Sequence, residues 1–211
     1  SYGIGIKELW NIDPAKHKPG RVIHGACWPI GGLFTGATGG SFLYHLPNNQ
    51  VSLGLITDLS YSNPHLSPFD EMQRMKLHPL YAEVLEGGER VSYGARALCK
   101  GGIQALPKLT VPGALLSGCD AGFMNVLKIK GSHTAMKSGM LAAEAAFDEL
   151  REGRSRTEAS SYQARFEDSW LFEELNRSRN FGPAVHKFGM GGGVPFMFFD
   201  QFLAGNQPWT L

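Results

Sequence analysis

Glycine constrains this chain more than any other residue: 27 of its 211 positions are glycine, nearly twice the usual share of about 7%. The glycines follow no Gly-X-Y period, which excludes a collagen-like helix, and 12 prolines add further breaks. Such a density predicts many tight turns, or main chain lying close to a ligand, because a residue without Cβ tolerates both. Hydrophobic residues make up 43% and charged residues 18%, the balance of a globular and rather apolar protein rather than a disordered one. The 20 Lys and Arg against 19 Asp and Glu leave a net charge of +1. A nucleic-acid binder needs a basic stripe to neutralise phosphates, so no nucleic-acid partner is expected. The cysteines Cys27, Cys99 and Cys119 stand far apart and offer neither a disulfide framework nor a CxxC motif. They point to a reducing compartment. No apolar run is long enough to span a bilayer. The opening SYGIGIKELW and the closing NQPWTL both read as cuts through a larger protein.

The first third reads as strands and turns. Ile4 and Ile6 alternate with glycine in a short extended segment ahead of Trp10, and Asp13-Pro14 and Lys18-Pro19-Gly20 punctuate a loop. Gly31-Gly32 and residues 36–40 form a flexible turn region. Residues 41–46 and 51–59 are strands joined through Pro47-Asn48-Asn49 as a hairpin. A helix begins at Pro68, with Ser67 as its cap and Glu71 three residues into it. Phe69, Met72, Met75 and Lys76 follow at helical spacing until His78-Pro79 interrupts them. Leu80, Val84 and Leu85 continue the apolar face as far as Gly87-Gly88. Residues 89–98 and 101–106 read as short strands.

The second half is arranged around a strand, a glycine turn and a helix. Residues 114–116 form a short buried strand and residues 118–123 a turn. Met136, Gly139, Met140, Ala143, Ala146, Phe147 and Leu150 then fall on one helical stripe. This helix is rich in small residues, which let it pack close to a sheet or a flat cofactor, and its N-terminal amides face an anionic or electron-rich ligand. A tightly packed α/β unit without any ligand explains the same pattern. Tyr162, Phe166 and Trp170 step by four along a second helix. In the tail, Gly191-Gly192-Gly193 precedes a Phe-rich run. As a core helix it would turn Phe196, Phe199 and Leu203 inward; as a membrane-surface segment it would dip Phe198, Phe202 and Trp209 into the acyl boundary. The seven histidines show no metal-binding spacing, and no metal site is expected.

The run PGALLSGCDAGFMNVLKIKGSHTAMKSGMLAAEA resembles the C-terminal flavin-binding segment of the electron transfer flavoprotein–ubiquinone oxidoreductase family. RVIHGACWPI with TGGSFLYHL, then YSNPHLSPFDEMQRMKLHP, then LEGGERVSYGARAL resemble the same family in the same order. The resemblance places Gly118, Cys119, Gly122, Phe123, Met124 and Asn125 on the FAD-side turn, with Gly131, His133 and Thr134 opening the helix behind it. Cys119 stands where the wider flavoprotein superfamily carries an aspartate. Read on its own chemistry, Cys119 is a small packing residue rather than a redox thiol. The same resemblance places Gly39 and Gly40 at the ubiquinone ring, and Phe196, Phe198, Phe199, Phe202 and Trp209 at the membrane surface as a monotopic contact.

The resemblance implies an oxidoreductase, an electron-transferring-flavoprotein dehydrogenase, that passes electrons from reduced electron transfer flavoprotein through FAD and a [4Fe–4S] cluster to ubiquinone. The cluster ligands and the GxGxxG strand–helix that binds the ADP part of FAD are absent from this sequence. The expected fold is α/β or α+β, a mixed-sheet quinone-binding domain packed on the remnant of an FAD-binding flavoprotein domain. Expected boundaries are a ubiquinone-binding domain over 1–106, a C-terminal FAD-binding segment over 107–152, and a helical segment with a membrane-associating tail over 153–211. The implied location is the bacterial cytoplasmic membrane or the mitochondrial inner membrane. Two alternatives share these features: an FAD-dependent reductase or monooxygenase of lipid substrates, and a non-catalytic membrane-surface module.

Overall fold

The hairpin expected around Pro47-Asn48-Asn49 is the centre of a five-stranded sheet. Its strands β1 (Tyr2–Asn11), β2 (Val22–Ala26), β3 (Gly39–Leu46), β4 (Gln50–Asp58) and β5 (Glu89–Cys99) lie in the order β2-β3-β4-β1-β5. β3 and β4 pair antiparallel with Leu46 opposite Gln50 and Gly39 opposite Thr57. Asn48 and Asn49 close the turn at φ 61° and 54°, the left-handed region that asparagine tolerates better than most residues. β1 pairs with β4 along its full length, from Gly3 opposite Asp58 to Asn11 opposite Gln50. The short extended segment expected at Ile4 is therefore a ten-residue strand, because a partner strand is available over all of it. Gly39 and Gly40, expected in a flexible turn, are the first residues of β3.

The computed structural model describes residues 2–32, 37–203 and 209–211, and these divide into a first unit, Tyr2–Ala97, and a second, Leu98–Leu211. Residues 33–36, part of the expected glycine turn, lie outside the described residues. In the first unit, alternation buries Ser41, Leu43 and His45 on β3 and Val51, Leu53 and Leu55 on β4, where Gly54 is buried as well. The covering layer is α1 (Pro68–Lys76) and α2 (Pro79–Leu85), whose Met72, Met75, Tyr81 and Leu85 complete that core. Ser67 caps α1 by accepting from the Asp70 amide at 3.3 Å, so Asp70 holds the position given to Glu71, whose carboxylate pairs with Arg74 instead. His78 caps α2 through Nδ1, which accepts from the Leu80 amide.

In the second unit, α4 (Ser132–Arg151), α5 (Ser161–Glu167) and α6 (Trp170–Arg177) pack around Phe123, Tyr162, Phe166, Leu171 and Leu175. Tyr162 is fully buried, and its hydroxyl donates to the Leu116 and Ser138 carbonyls. Burial pushes its phenol up to about 12. Several sequence expectations are corrected here. Residues 101–106 hold a single 3-10 turn, Ile103–Ala105, not a strand. The buried strand of 114–116 is the two-residue β7 (Ala114–Leu115), paired with β6 (Thr110–Val111), and Leu116 is exposed. The turn at 118–123 contains a one-turn helix, α3 (Gly118–Ala121), ended by Gly122 at φ 99°. Trp170 does not continue the helix of Tyr162 and Phe166; it starts α6 after a break at Ser169.

The apolar stripe of α4 is present but faces outward. Met136, Met140, Phe147 and Leu150 are all more than half exposed, while Thr134, Ser138, Leu141, Ala142 and Ala145 form the packed side. The tail also differs from a single straight helix. α7 (Phe181–Phe202) folds back on itself at Gly189, whose φ of 66° and ψ of 179° are non-helical. A Cβ on Gly193 would lie 2.7 Å from the Val185 Cα, so glycine lets the two arms touch. The buried Asn180 amide donates to Asp200 across the arms at 3.0 Å. Among the described residues no helix is long and apolar enough to cross a membrane.

Candidate functional site

The residues singled out from the sequence gather at three places. In the first unit Gly39 and Gly40 lie where β3 leaves the sheet. The Gly39 carbonyl accepts from the Cys27 amide at 3.1 Å. A Cβ on Gly39 would overlap the Ile56 carbonyl oxygen, and one on Gly40 the Gly25 carbonyl oxygen. Both glycines are thus required by close strand packing, whatever else approaches their backbone. Around this corner sit the half-exposed Trp28, tilted against the His78 ring at 5.1 Å, and the buried Ile30 and Ala37. Next to Gly39, the Thr38 hydroxyl donates to Asp58.

The second place is the segment from Gly118 to Thr134. Gly118 donates its amide to the Ser138 hydroxyl at 2.9 Å, and Phe123 donates to the Gly118 carbonyl at 3.2 Å. Asn125 and Lys130 exchange both backbone hydrogen bonds, closing a small hairpin with Ile129 at its tip in the left-handed region at φ 56°. A β-branched residue there is strained, and such strain concentrates at functional sites. Phe123, Asn125 and Thr134 are buried; Cys119 and His133 are half-buried. Phe123 packs edge-on against Phe166, with ring centroids 5.1 Å apart. Cys119 is a free thiol, and its Sγ fills the space beside Gly131 where a Cβ would come within 2.9 Å. Met124 also flanks Gly131. Gly131 is the N-cap of α4 and supplies no side-chain acceptor, so the first amides of this helix carry the partial positive charge of an uncapped N-terminus. Amides of this kind suit an anionic or electron-rich group, while the Thr134 hydroxyl already donates to the Gly131 carbonyl at 2.9 Å.

One carboxylate, absent from the sequence-based set, ties this segment together. Glu174 on α6 accepts from Asn125 Nδ2, Lys128 Nζ and His133 Nε2 at 2.9, 2.7 and 2.7 Å. Burial would raise its pKa, but the hydrogen bonds from Lys128, His133 and Asn125 outweigh it and hold the carboxyl at about 2. No local motif marks Glu174, which lies 41 to 49 residues from the two deepest partners, His133 and Asn125. A cavity of ≈ 300 Å³ opens beside it, with Lys128, Trp170 and Arg177 in its lining.

The third place is the aromatic end of α7. Phe198, Phe199 and Phe202 are 76%, 58% and 85% exposed, and Leu203 and Trp209 about two-fifths. Phe196 is half-buried between Phe188 and Trp209, at 6.0 and 6.1 Å. The core-helix alternative fails for Phe199 and Leu203, which face out. Among the described residues no group of three or more His, Cys, Asp or Glu is placed to hold a metal ion. The three cysteines are one short of the four thiolates a [4Fe–4S] cluster takes, so this chain's residues do not fit such a cluster.

A family model described as "ETF-QO, ubiquinone-binding" matches residues 2–98, nearly the same bounds as the first unit. An electron transfer flavoprotein–ubiquinone oxidoreductase of Pseudomonas aeruginosa is 63% identical over 212 residues, covering 100% of this chain and 38% of that protein. The mitochondrial electron transfer flavoprotein–ubiquinone oxidoreductase of Homo sapiens is 50% identical over 220 residues, covering 100% of this chain and 35% of that protein. The chain therefore spans little more than a third of these relatives' length. Among solved structures, a geranylgeranyl bacteriochlorophyll reductase-like protein from Thermoplasma acidophilum superposes with a TM-score of 0.66 at 16% identity, over 98% of this chain and 48% of that one. The α/β or α+β class expected from the sequence is the class of this chain, whose five-stranded sheet pairs antiparallel across β2, β3, β4 and β1.

Proposed function

Because the chain belongs to the electron transfer flavoprotein–ubiquinone oxidoreductase family, we propose that it supplies the quinone-binding domain and the flavin-facing wall of an enzyme that passes electrons from electron transfer flavoprotein to ubiquinone. The observation that carries this reading is the coincidence between the quinone-binding match over residues 2–98 and the compact unit Tyr2–Ala97. In this reading the β2–β3 corner at Gly39 and Gly40 borders the quinone ring, with Trp28 and Ile30 as its apolar walls. FAD, when bound, accepts and releases the electrons. This chain's residues bind and orient it, through the uncapped amides of α4 and the turn built from Gly118, Cys119, Gly122, Phe123, Met124 and Asn125, and they exclude water from it. An iron–sulfur cluster of the complete enzyme takes its ligands from outside this chain.

A quinone with an isoprenoid tail partitions into lipid, so the quinone site works best near a membrane surface. Phe198, Phe199 and Phe202, projecting from the end of α7, suit a monotopic contact made by aromatic burial rather than by charge. The complete enzyme is accordingly placed at the bacterial cytoplasmic membrane or the mitochondrial inner membrane. The test uses the complete enzyme on vesicles. Wild type is expected to reduce both a long-tailed ubiquinone embedded in the bilayer and a short-tailed soluble one. Phe198→Asp with Phe202→Asp is expected to release the protein in a flotation assay and to lower long-tailed quinone turnover about tenfold, leaving the soluble substrate unaffected. Wild type that reduces neither quinone would overturn the reading; full vesicle turnover by the double variant would remove the membrane part of it.

A further inference from the structure

Glu174 lies outside every segment the sequence ties to a ligand, yet its carboxylate holds three donors of the flavin-facing segment at once. Asn125 opens the hairpin, Lys128 sits in its loop, and His133 stands in the first turn of α4. The Asn125 amide has no freedom to flip, because its Oδ1 already accepts from the Lys128 amide at 3.0 Å. Its NH2 is left to donate to Glu174. His133 is fixed twice. Its Nε2 donates to Glu174, and its ring lies parallel to the Trp170 indole, 6.1 Å away at 6°. Trp170 precedes Glu174 by four residues, so α6 presents an aromatic face and a carboxylate on one side.

The geometry points to Glu174 as a positioning residue for the flavin. By gripping Asn125, Lys128 and His133 together, it sets the hairpin and the amides at the start of α4 and keeps the proton on His133 Nε2. This rests on the reading that residues 118–134 face the flavin. Hydrogen bonds to an ionised acceptor are about twice as strong as neutral ones and are directional, so one carboxylate suffices to hold both arms. Neighbouring Glu173 provides the contrast, since the ion pair it forms is with Arg177 on its own helix.

The test uses the complete, flavin-loaded protein with Glu174→Gln, Glu173→Gln and Thr134→Val. Hydrogen–deuterium exchange reads the order of residues 122–134, and a spectroelectrochemical titration reads the flavin midpoint potential. Glu174→Gln is expected to speed exchange in this segment about tenfold and to shift the flavin potential, while Glu173→Gln changes neither. Should Glu174→Gln fail to retain flavin, Glu174→Asp, which keeps the charge on a shorter arm, is expected to show a smaller shift of the same sign. Unchanged exchange in the Glu174 variants overturns the proposal. So does faster exchange with an unmoved potential, provided Thr134→Val moves it. If neither Glu174→Gln nor Thr134→Val moves the potential, the flavin-facing reading itself fails and takes the proposal with it.

Discussion

Gly40→Val is expected to destabilise the first unit by about 3 kcal/mol, before any question of ligand arises. A Cβ at this position overlaps the Gly25 carbonyl oxygen of the neighbouring strand, and one on Gly39 overlaps the Ile56 carbonyl oxygen on the other side. Both obstacles are main chain in a paired ladder, with Ala26 opposite Gly40 and Thr57 opposite Gly39. Neither can turn aside as a side chain would, so β2, β3 and β4 must separate to make room. Gly87→Ala is the control, because a Cβ there meets no atom within 4 Å and only its φ of 76° resists it, a cost of about 1 kcal/mol. Urea titrations of the chain followed by circular dichroism check the pair. A Gly40→Val midpoint equal to that of Gly87→Ala would show that the sheet has more slack than this packing allows. The consequence for function is direct: lost quinone binding in a Gly40 variant does not by itself locate the quinone.

Glu8→Ala is expected to cost about 3 to 5 kcal/mol, the usual penalty for leaving one member of a buried ion pair without its partner. Glu8 sits on β1 at 3% exposure and takes hydrogen bonds from Lys76 at 3.0 and 2.9 Å, from Arg90 at 3.3 Å and from the Trp10 indole at 2.8 Å. Lys76 is itself mostly covered, lying 5.4 Å over the Trp10 ring. Removing Glu8 strands the Lys76 ammonium against that ring. Burial alone would raise the Glu8 pKa, but the donors outweigh it and hold it below the ordinary carboxylate range. A carboxyl whose folded pKa is depressed contributes stability that is complete above its unfolded value and is lost as pH falls through its folded value. Wild type is therefore expected to lose stability progressively below about pH 4.5, and Glu8→Ala to flatten that part of the profile. Denaturation midpoints from pH 7 downward measure both effects. An unaltered acid slope in Glu8→Ala would assign the acid sensitivity elsewhere.

Local chemistry made much of the first unit legible. The asparagine turn, the alternation on both sides of it, the Ser67-Pro68 start and the His78-Pro79 break each depend on neighbours within a few positions, and each recurs in the structure. The second unit was harder because its decisive partners are remote. The period of α4 is plain in the sequence, but a period identifies a stripe without saying what covers it, and the packed side turned out to be the small, partly polar one. Phe123 looks like a surface contact in a motif, yet it is buried against Phe166 of α5, which follows much later in the chain. The fold-back of α7 needs Gly193 to meet Val185, a contact eight residues apart that no helical pattern announces. Glu174 is the extreme case, one of two adjacent glutamates on a charged helix, whose role exists only once three donors from an earlier segment converge on it.

The quinone corner is the centre of this account, and covalent mapping tests it without disturbing the packing of Gly39 and Gly40. The complete enzyme is illuminated with a photoreactive ubiquinone analogue, digested, and its labelled peptides identified by mass spectrometry, with and without excess unlabelled ubiquinone. Label is expected in the β2–β3 corner, on peptides spanning Trp28 to Gly40, and is expected to disappear under competition. Competable label confined to the second unit, with none in the first, would contradict that placement.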